Sequence, residues 1–431
     1  CSVAQDARRH APGRPAELQV CARGGACARV EPAAGKAREV PRTCPLLLSM
    51  GGILALLFRP RHPAPLGGWA LGSLRLRLPP SPGAAGRGLL AQLHYPAVSG
   101  GEKCRVAEFP WFRPEVIQLI ADGYGVPRFL LRSLLQGARQ LDPPYFPQNA
   151  GDSRGWPIIV FTSGLWGSCE MYTQFCRDLA AAGAIVIAVE HEDGSGLFAT
   201  SGATAEPVPY VEPPEGCDVQ AFRHPFLECH AQELRATAAA LVASACGAGA
   251  EPRGAEDLAL AAVLRRGDAS RMLLVGHSFG STGIVRYLRG LRERAEPCPF
   301  RGALLLDLWP EPLVEADAAE GLQVPFALLL SESWARTSSY TAKYRQIRAA
   351  SSGRCVAAAC VSGTRHQWVS DSHFFAPSWL LRLFGIMGPA KHASAHQATV
   401  RCAHAAIRAI LDWPSEFVHL ETLSNHVIDL H

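Results

Sequence analysis

An α/β fold with a mostly parallel sheet, covered by helices on both faces, is predicted by three features of the 431-residue chain. Continuous apolar runs recur along it, as in Pro157–Thr162, Ala184–Val189 and Gly302–Leu308, which is how strands buried on both faces read. Stretches with helical spacing separate these runs, the order that builds a parallel sheet. Gly276-His277-Ser278-Phe279-Gly280 matches G-x-S-x-G between an apolar run and a helix-like stretch.

Leu89–Tyr95 reads as an early edge strand ending at Pro96, followed by a Pro-rich entry around Phe109-Pro110-Trp111. Glu115–Gln136 has helical spacing, broken at Gly123-Tyr124-Gly125 and Pro127. A helix is expected over Glu170–Ala182, between the strands at 157–162 and 184–189, and Gly194–Cys217 reads as loop. Glu228–Ala245 is a strong helix, followed by the strand Met272–Val275 and the helix Ser281–Arg292. Gly302–Leu308, Pro325–Ser331 and Cys355–Ser362 are further strands, and Ala398–Leu411 closes the chain as a helix. No G-x-G-x-x-G follows the first strand, which counts against a dinucleotide cradle. No internal repeats are present.

The hydrophobic share of 48% supports a sizeable core. With 42 basic and 38 acidic residues the net charge is +4, which gives no argument for a nucleic-acid partner. The 14 cysteines show neither C-x-x-C nor zinc spacing, so free thiols in a reducing compartment are expected, although Cys21/Cys27 and Cys355/Cys360 are pairs by position. Residues 1–60 are expected to be a disordered or targeting extension, and 61–431 a single catalytic domain. The extension is rich in Ala, Arg, Gly and Pro, and its apolar run Leu46–Phe58 is short for a membrane span but fits a signal core. Met50 is the first methionine, and a start there would make Gly51 terminal, with Ala55 standing where a myristoylation signal needs Ser or Thr. No other segment reads as transmembrane.

A strand–turn–helix carrying G-x-S-x-G is the nucleophile elbow of the α/β-hydrolase fold, in which an acid and a histidine follow the serine on later strand ends. Asp307 ends the apolar strand at 303–306, and His366 follows the strand ending near Val361. Asp307 also fits a plain turn cap. His277 and His373 are the rival histidines; His277 is expected to point away from Ser278, and His373 to be structural. In this arrangement Ser278 is the nucleophile, His366 the general base and Asp307 the group that holds the imidazole. The Phe279 amide supplies one oxyanion donor. The other falls on Gly164-Leu165-Trp166, with Leu165 the choice, although Gly164 also fits an ordinary turn glycine.

These residues together resemble the platelet-activating factor acetylhydrolases of the plasma and intracellular type II kind (group VII phospholipases A2) from about Gly88 to Leu411. The resemblance is carried by Leu93-His94-Tyr95-Pro96, Pro157–Phe161, Val189-Glu190-His191-Glu192-Asp193, the elbow, Leu306-Asp307-Leu308-Trp309 and Gly363-Thr364-Arg365-His366-Gln367. It implies the same triad and the same oxyanion amides, no metal and no cofactor. It further implies calcium-independent hydrolysis of the sn-2 acetyl or short or oxidised acyl ester of a phospholipid. Two departures stand out: Ser163-Gly164 replaces the family's His-Gly, and Glu192 stands where arginine is common. The family's interfacial helix falls on Phe129, Leu130, Leu131, Leu134 and Leu135, and Trp379–Phe384 is a second apolar stretch; core packing is the competing reading of both. The expected partner is a phospholipid at a membrane or lipoprotein surface, with a cytoplasmic, peripherally associated chain or a secreted one. A general carboxylesterase or lipase, and a non-catalytic lipid-binding relative, are the alternative functions.

Overall fold

The computed structural model describes residues 62–411, apart from 84–85, 136–141, 152–153, 248–251, 253 and 375–377, together with the backbone of three short strands at 18–20, 28–30 and 427–429. Apart from the first two of these strands, the expected extension over residues 1–60, with Cys21 and Cys27, lies outside the described residues. The chain divides into two units. Arg61–Trp111 with Arg139–His431 holds the central sheet. Cys1–Pro60 with Phe112–Ala138 holds the antiparallel pair Leu18–Val20/Ala28–Val30 and the helices Pro114–Gly123 and Arg128–Leu135. These two helices are interrupted where Tyr124, Gly125 and Pro127 predict.

Eight strands form the body of the sheet: β1 (Leu71–Arg77), β2 (Leu90–Pro96), β3 (Trp156–Thr162), β4 (Ile185–Val189), β5 (Gly267–His277), β6 (Phe300–Leu306), β7 (Phe326–Ser331) and β8 (Cys355–Val361). Their order is β8-β7-β6-β5-β3-β4-β2-β1, and Val427–Asp429 lies antiparallel outside β8. Strands β3 to β8 run parallel, whereas β2 is antiparallel to both β1 and β4. The chain leaves β3 for β4 on one side and returns to β5 on the other. The carboxyl ends of β3 and β5 therefore flank a topological switch point, where open α/β sheets bind ligands.

All residues of β3 and β4 are buried, as their unbroken apolar sequence requires. On one face Ile158, Val160, Ile187 and Leu274 pack with Leu234 and Leu241 of helix Val219–Ala245 and with Ile284 and Leu288 of helix Phe279–Glu293. Helices Thr173–Ala181 and His392–Ile410 also pack on the sheet, the first against β1, β2 and β4 and the second against β6, β7 and β8. Each fully buried aliphatic side chain of this kind contributes about 1.5–3 kcal/mol.

Three differences from the sequence reading have physical causes. Leu90–Pro96 is not the edge strand, because β1 lies outside it. The β1 sequence Leu-Gly-Ser-Leu-Arg-Leu-Arg buries Leu74 and Leu76, while Arg75 is held by Glu170 and Gln92 and Arg77 by Glu192. Helix Val219–Ala245 starts nine residues before the expected Glu228. The Asp218 carboxylate caps it, accepting from the amides of Gln220 (2.9 Å) and Ala221 (3.2 Å), and Pro225 sits inside the helix. The expected loop 194–217 contains a small hairpin, Phe198–Thr200 with Pro207–Pro209.

Candidate active site

Ser278 sits between β5 and helix Phe279–Glu293 with φ 56° and ψ −119°, a conformation that costs a non-glycine residue about 1–3 kcal/mol. The surroundings hold it there. A Cβ on Gly276 would stand 2.7 Å from the Ser281 amide nitrogen, and one on Gly280 would collide with the carbonyl oxygens of Thr162 and Ser163. The Ser278 amide donates to Leu306 O (2.9 Å), and Ser281 Oγ donates to Gly276 O (2.6 Å). The Ser278 hydroxyl makes no capping bond to its own helix, which leaves it free for another partner.

That partner is His366, whose Nε2 lies 2.9 Å from Ser278 Oγ. His366 Nδ1 lies 3.0 Å from Asp307 Oδ2. Asp307 leaves the end of β6 with φ 41° and is fully buried. Its carboxylate also accepts from the Ser331 amide (2.6 Å) and from Ser331 Oγ (2.7 Å). Burial pushes the Asp307 carboxyl up to about 6, against the pull of His277 and the Ser331 donors. Burial pushes the His366 imidazole well below 6.5. At neutral pH the pair is therefore a carboxylate and a neutral imidazole with its proton on Nδ1, so Nε2 offers a lone pair to the Ser278 hydroxyl. The imidazole lies flat on the Trp334 indole, with centroids 4.0 Å apart and planes 4° from parallel, and His277 stacks nearby at 4.6 Å.

The rival histidines face elsewhere. His277 bonds to Tyr172 Oη through Nδ1 (3.0 Å) and to the His366 carbonyl through Nε2 (3.0 Å). His373 lies against His392, 4.3 Å between ring centroids.

Gly164 brings the loop after β3 against the serine: a Cβ there would lie 2.9 Å from Ser278 Cβ. Close approach, more than turn geometry, is thus what asks for glycine. The Gly164 amide donates to Tyr172 Oη (3.3 Å), the Trp166 amide to Ser195 O (2.8 Å) and the Gly167 amide to Gly164 O (3.0 Å). Among the described residues, no acceptor is paired with the amides of Leu165 and Phe279. Phe279 is the first residue of its helix, where intrahelical partners end. Beside these amides lies an apolar cluster of Phe226, Leu227, Phe279, Trp309 and Trp334, with Leu165, Val211, Val219, Phe222 and Tyr340 packed against it.

The two sequence departures are absorbed locally. Tyr172, Ser195 and Gly167 tie the loop that begins at Ser163, and Glu192 forms an ion pair with Arg77 (2.9 Å) and accepts from the Gly202 amide (2.8 Å). Behind the loop, His191 and His230 both reach Thr162 Oγ1, at 2.9 and 2.8 Å, and are held from their other nitrogens by Glu233 and Asp193. Sequence reasoning missed Tyr172, Ser331 and Trp334. Each lies tens of residues from its triad or elbow partner (His277, Asp307 and His366 in turn), and only a position near a strand end marks Ser331 and Trp334.

Among the described residues, His277, Asp307 and His366 are the one group of three or more metal-ligand side chains whose donor atoms lie within 4.8 Å of one another. Their donor atoms are already engaged with Tyr172, Ser331, Ser278 and each other. Cys355 and Cys360 are free thiols, like the other described cysteines. Of the expected lipid-contact residues, Leu131 and Leu135 are buried, Phe129 and Leu130 are half-buried, and the Leu134 side chain lies outside the described residues. In the second stretch Trp379, Leu383 and Phe384 are exposed by 67%, 74% and 57%, so this stretch turns apolar surface outward. No helix among the described residues is long and apolar enough to cross a membrane.

Known proteins resemble this chain in sequence and in fold. A family model described as platelet-activating factor acetylhydrolase, isoform II, matches residues 83–427. A platelet-activating factor acetylhydrolase of Gallus gallus is 24% identical over 365 residues, 80% of this chain and 82% of that protein. A putative phospholipase A2 of Schizosaccharomyces pombe is 33% identical over 92 residues, 20% of each chain. Among solved structures, a ferulic acid esterase from Streptomyces cinnamoneus superposes with a TM-score of 0.58 at 19% identity, covering 86% of this chain and 99% of the esterase; that likeness speaks for the fold alone. The chain has the α/β-hydrolase fold and belongs to the platelet-activating factor acetylhydrolase isoform II family.

Proposed function

We propose that this chain is a calcium-independent serine esterase that removes the sn-2 acetyl group, or a short or oxidised acyl group, from phospholipids resembling platelet-activating factor. The observation that carries the reading is the line Ser278 Oγ–His366 Nε2 (2.9 Å) and His366 Nδ1–Asp307 Oδ2 (3.0 Å), in a chain of this family. His366 takes the Ser278 proton as the oxygen attacks the ester carbonyl, and Asp307 holds the Nδ1 tautomer and stabilises the imidazolium. The carbonyl oxygen gains its charge between the amides of Leu165 and Phe279. The imidazolium then protonates the departing lysophospholipid oxygen. Water, activated by the same imidazole, attacks the acyl-serine, releases the carboxylic acid and restores the hydroxyl.

The substrate assignment is supported by the family and by the aromatic wall of Phe279, Trp309 and Trp334 beside the reacting position, which favours a compact acyl group. Exposed Trp379, Leu383 and Phe384 fit peripheral contact with a lipid surface. The test is hydrolysis of a phosphatidylcholine series with sn-2 acyl chains from acetyl to palmitoyl, in the presence of a calcium chelator. A steep fall in kcat/KM with unoxidised chain length is expected. Equal rates across the series would favour a general carboxylesterase, and no turnover of any ester would favour a non-catalytic lipid-binding protein.

A further inference from the structure

We infer that Tyr172 and His277 are positioning residues: they form a one-way hydrogen-bond chain that fixes the oxyanion loop and the base loop relative to the nucleophile. The inference rests on the esterase reading and adds to it a physical link between two halves of the site.

Each bond in the chain has one permitted direction. The His366 carbonyl oxygen only accepts, so His277 Nε2, 3.0 Å away, carries a proton and donates it. His277 is buried, and burial with the neighbouring His366 pushes its pKa down to about 3, so the ring is neutral and Nδ1 bears a lone pair. Tyr172 Oη, 3.0 Å from Nδ1, must then donate. Its remaining role is to accept, which it does from the Gly164 amide at 3.3 Å. The order is Gly164 N–H to Tyr172 O–H to His277 Nδ1, then His277 Nε2–H to His366 C=O.

The two ends of this chain lie one step from the chemistry. Gly164 immediately precedes Leu165, whose amide is a proposed oxyanion donor. Tyr172 holds the 163–164 peptide through the Gly164 N–H, and the Gly167 amide, donating to Gly164 O (3.0 Å), holds the next peptide, which carries the Leu165 N–H. At the other end the bond to the His366 carbonyl restrains the backbone that carries the base. His277 precedes Ser278 in sequence, so the element joining the ends is the elbow itself. This explains what a histidine pointing away from the serine does inside the pentapeptide. It also explains how the loop keeps its form with Ser163 where the family has histidine, since the restraint comes from Tyr172.

Substitutions separate this role from simple packing. His277→Gln keeps a donor for the His366 carbonyl and an acceptor for Tyr172. His277→Phe keeps the flat ring against His366 and loses both bonds. Tyr172→Phe keeps the ring and loses the hydroxyl. The expected result is that His277→Gln retains most activity, while Tyr172→Phe and His277→Phe each lower kcat on the order of tenfold or more with little change in KM, a fraction of what losing an oxyanion donor outright costs. The Tyr172→Phe/His277→Phe double variant should lose about as much as either single one, because a chain broken once gains nothing from a second break. Hydrogen exchange at the Gly164 amide should quicken in both Phe variants and stay slow in His277→Gln. That readout does not depend on turnover.

Retained activity and slow exchange in both Phe variants, or losses that multiply in the double variant, would overturn the inference while leaving the esterase reading intact. So would a His277→Phe variant more active than His277→Gln. A wild-type protein with no esterase turnover but the expected exchange pattern would leave the chain standing as structure and remove both its positioning role and the esterase reading.

Discussion

His366 lies face to face on Trp334, with ring centroids 4.0 Å apart and planes 4° from parallel. The base of the proposed reaction thus rests on the negative face of an indole, which attracts the imidazolium that forms when Ser278 gives up its proton. Burial alone works against that cation, pushing His366 well below its usual value. The stack offsets part of the cost.

Replacing Trp334 by Leu is therefore expected to lower kcat roughly 2- to 30-fold, the equivalent of a cation–π contact of about 0.5–2 kcal/mol. Asp307 sets the acid limb of kcat/KM, so the limb is expected to stay in place while kcat falls. A pH–rate profile of the variant checks both the size of the loss and the unmoved limb.

The wild-type profile follows from Asp307. Burial holds its carboxyl at about 6, and the reaction needs it ionised beside a neutral imidazole. Activity is expected to be flat from neutral pH upward into the mildly alkaline range and to decline as pH falls through about 6. Ser331 donates to the charged carboxylate from both its amide and its hydroxyl. Removing the hydroxyl in Ser331→Ala disfavours the charged form, raises the Asp307 pKa and shifts the acid limb upward, whereas Trp334→Leu leaves it in place.

The same carboxyl links activity to stability. Its folded pKa lies above its ordinary 3.8, so ionising it opposes folding. Its stability contribution is fully present below 3.8 and is lost as pH rises to about 6. Asp307→Asn removes that ionisation. Activity is expected to drop on the order of 10⁴-fold, because the imidazole loses its orienting acceptor. The Tm at neutral pH should meanwhile hold within a few degrees of wild type. Calorimetry beside an ester assay tests both.

Gly164 is fixed by the approach of its backbone to Ser278. Gly164→Ala places a methyl 2.9 Å from Ser278 Cβ and 3.3 Å from His277 Nδ1, so the loop must retreat. Activity is expected to fall on the order of 10²-fold, as when an oxyanion donor is lost, with the melting transition little changed. Steady-state kinetics and thermal unfolding of the variant provide the check.

Trp379, Leu383 and Phe384 expose an apolar patch on and just after a short helix. Changing Trp379 to Ala and Leu383 to Ser should reduce turnover of a vesicle-borne substrate several-fold and leave a small soluble ester unaffected. Equal losses on both substrates would speak for a packing role.

How much of this was legible in the sequence depended on range. The elbow could be read because strand, turn and helix are contiguous and the two glycines carry the constraint. The buried stretches of β3 to β7 could be read because burial on both faces leaves an apolar run, while the polar start of β5, residues 267–271, could not. β1 could not: it pairs antiparallel at the sheet edge, and its arginines are satisfied by Glu170 and Glu192, far along the chain. Asp307 and His366 were legible by their place after strands, whereas Ser331, Trp334 and Tyr172 owe their positions to packing that no local pattern encodes. The first interfacial stretch misled in part: its spacing is amphipathic, but Leu131 and Leu135 are buried. Amphipathicity alone does not distinguish a face turned to lipid from one turned to protein.

The proposed chemistry requires Ser278 to be the one hydroxyl that this fold makes nucleophilic. Treating the native protein with a fluorophosphonate and mapping the adduct by mass spectrometry tests that directly. A single modification on the peptide carrying Ser278, absent in Ser278→Ala and from heat-unfolded protein, is the expected result. A native protein that takes up no label, or a Ser278→Ala variant labelled as fully as wild type, would contradict it.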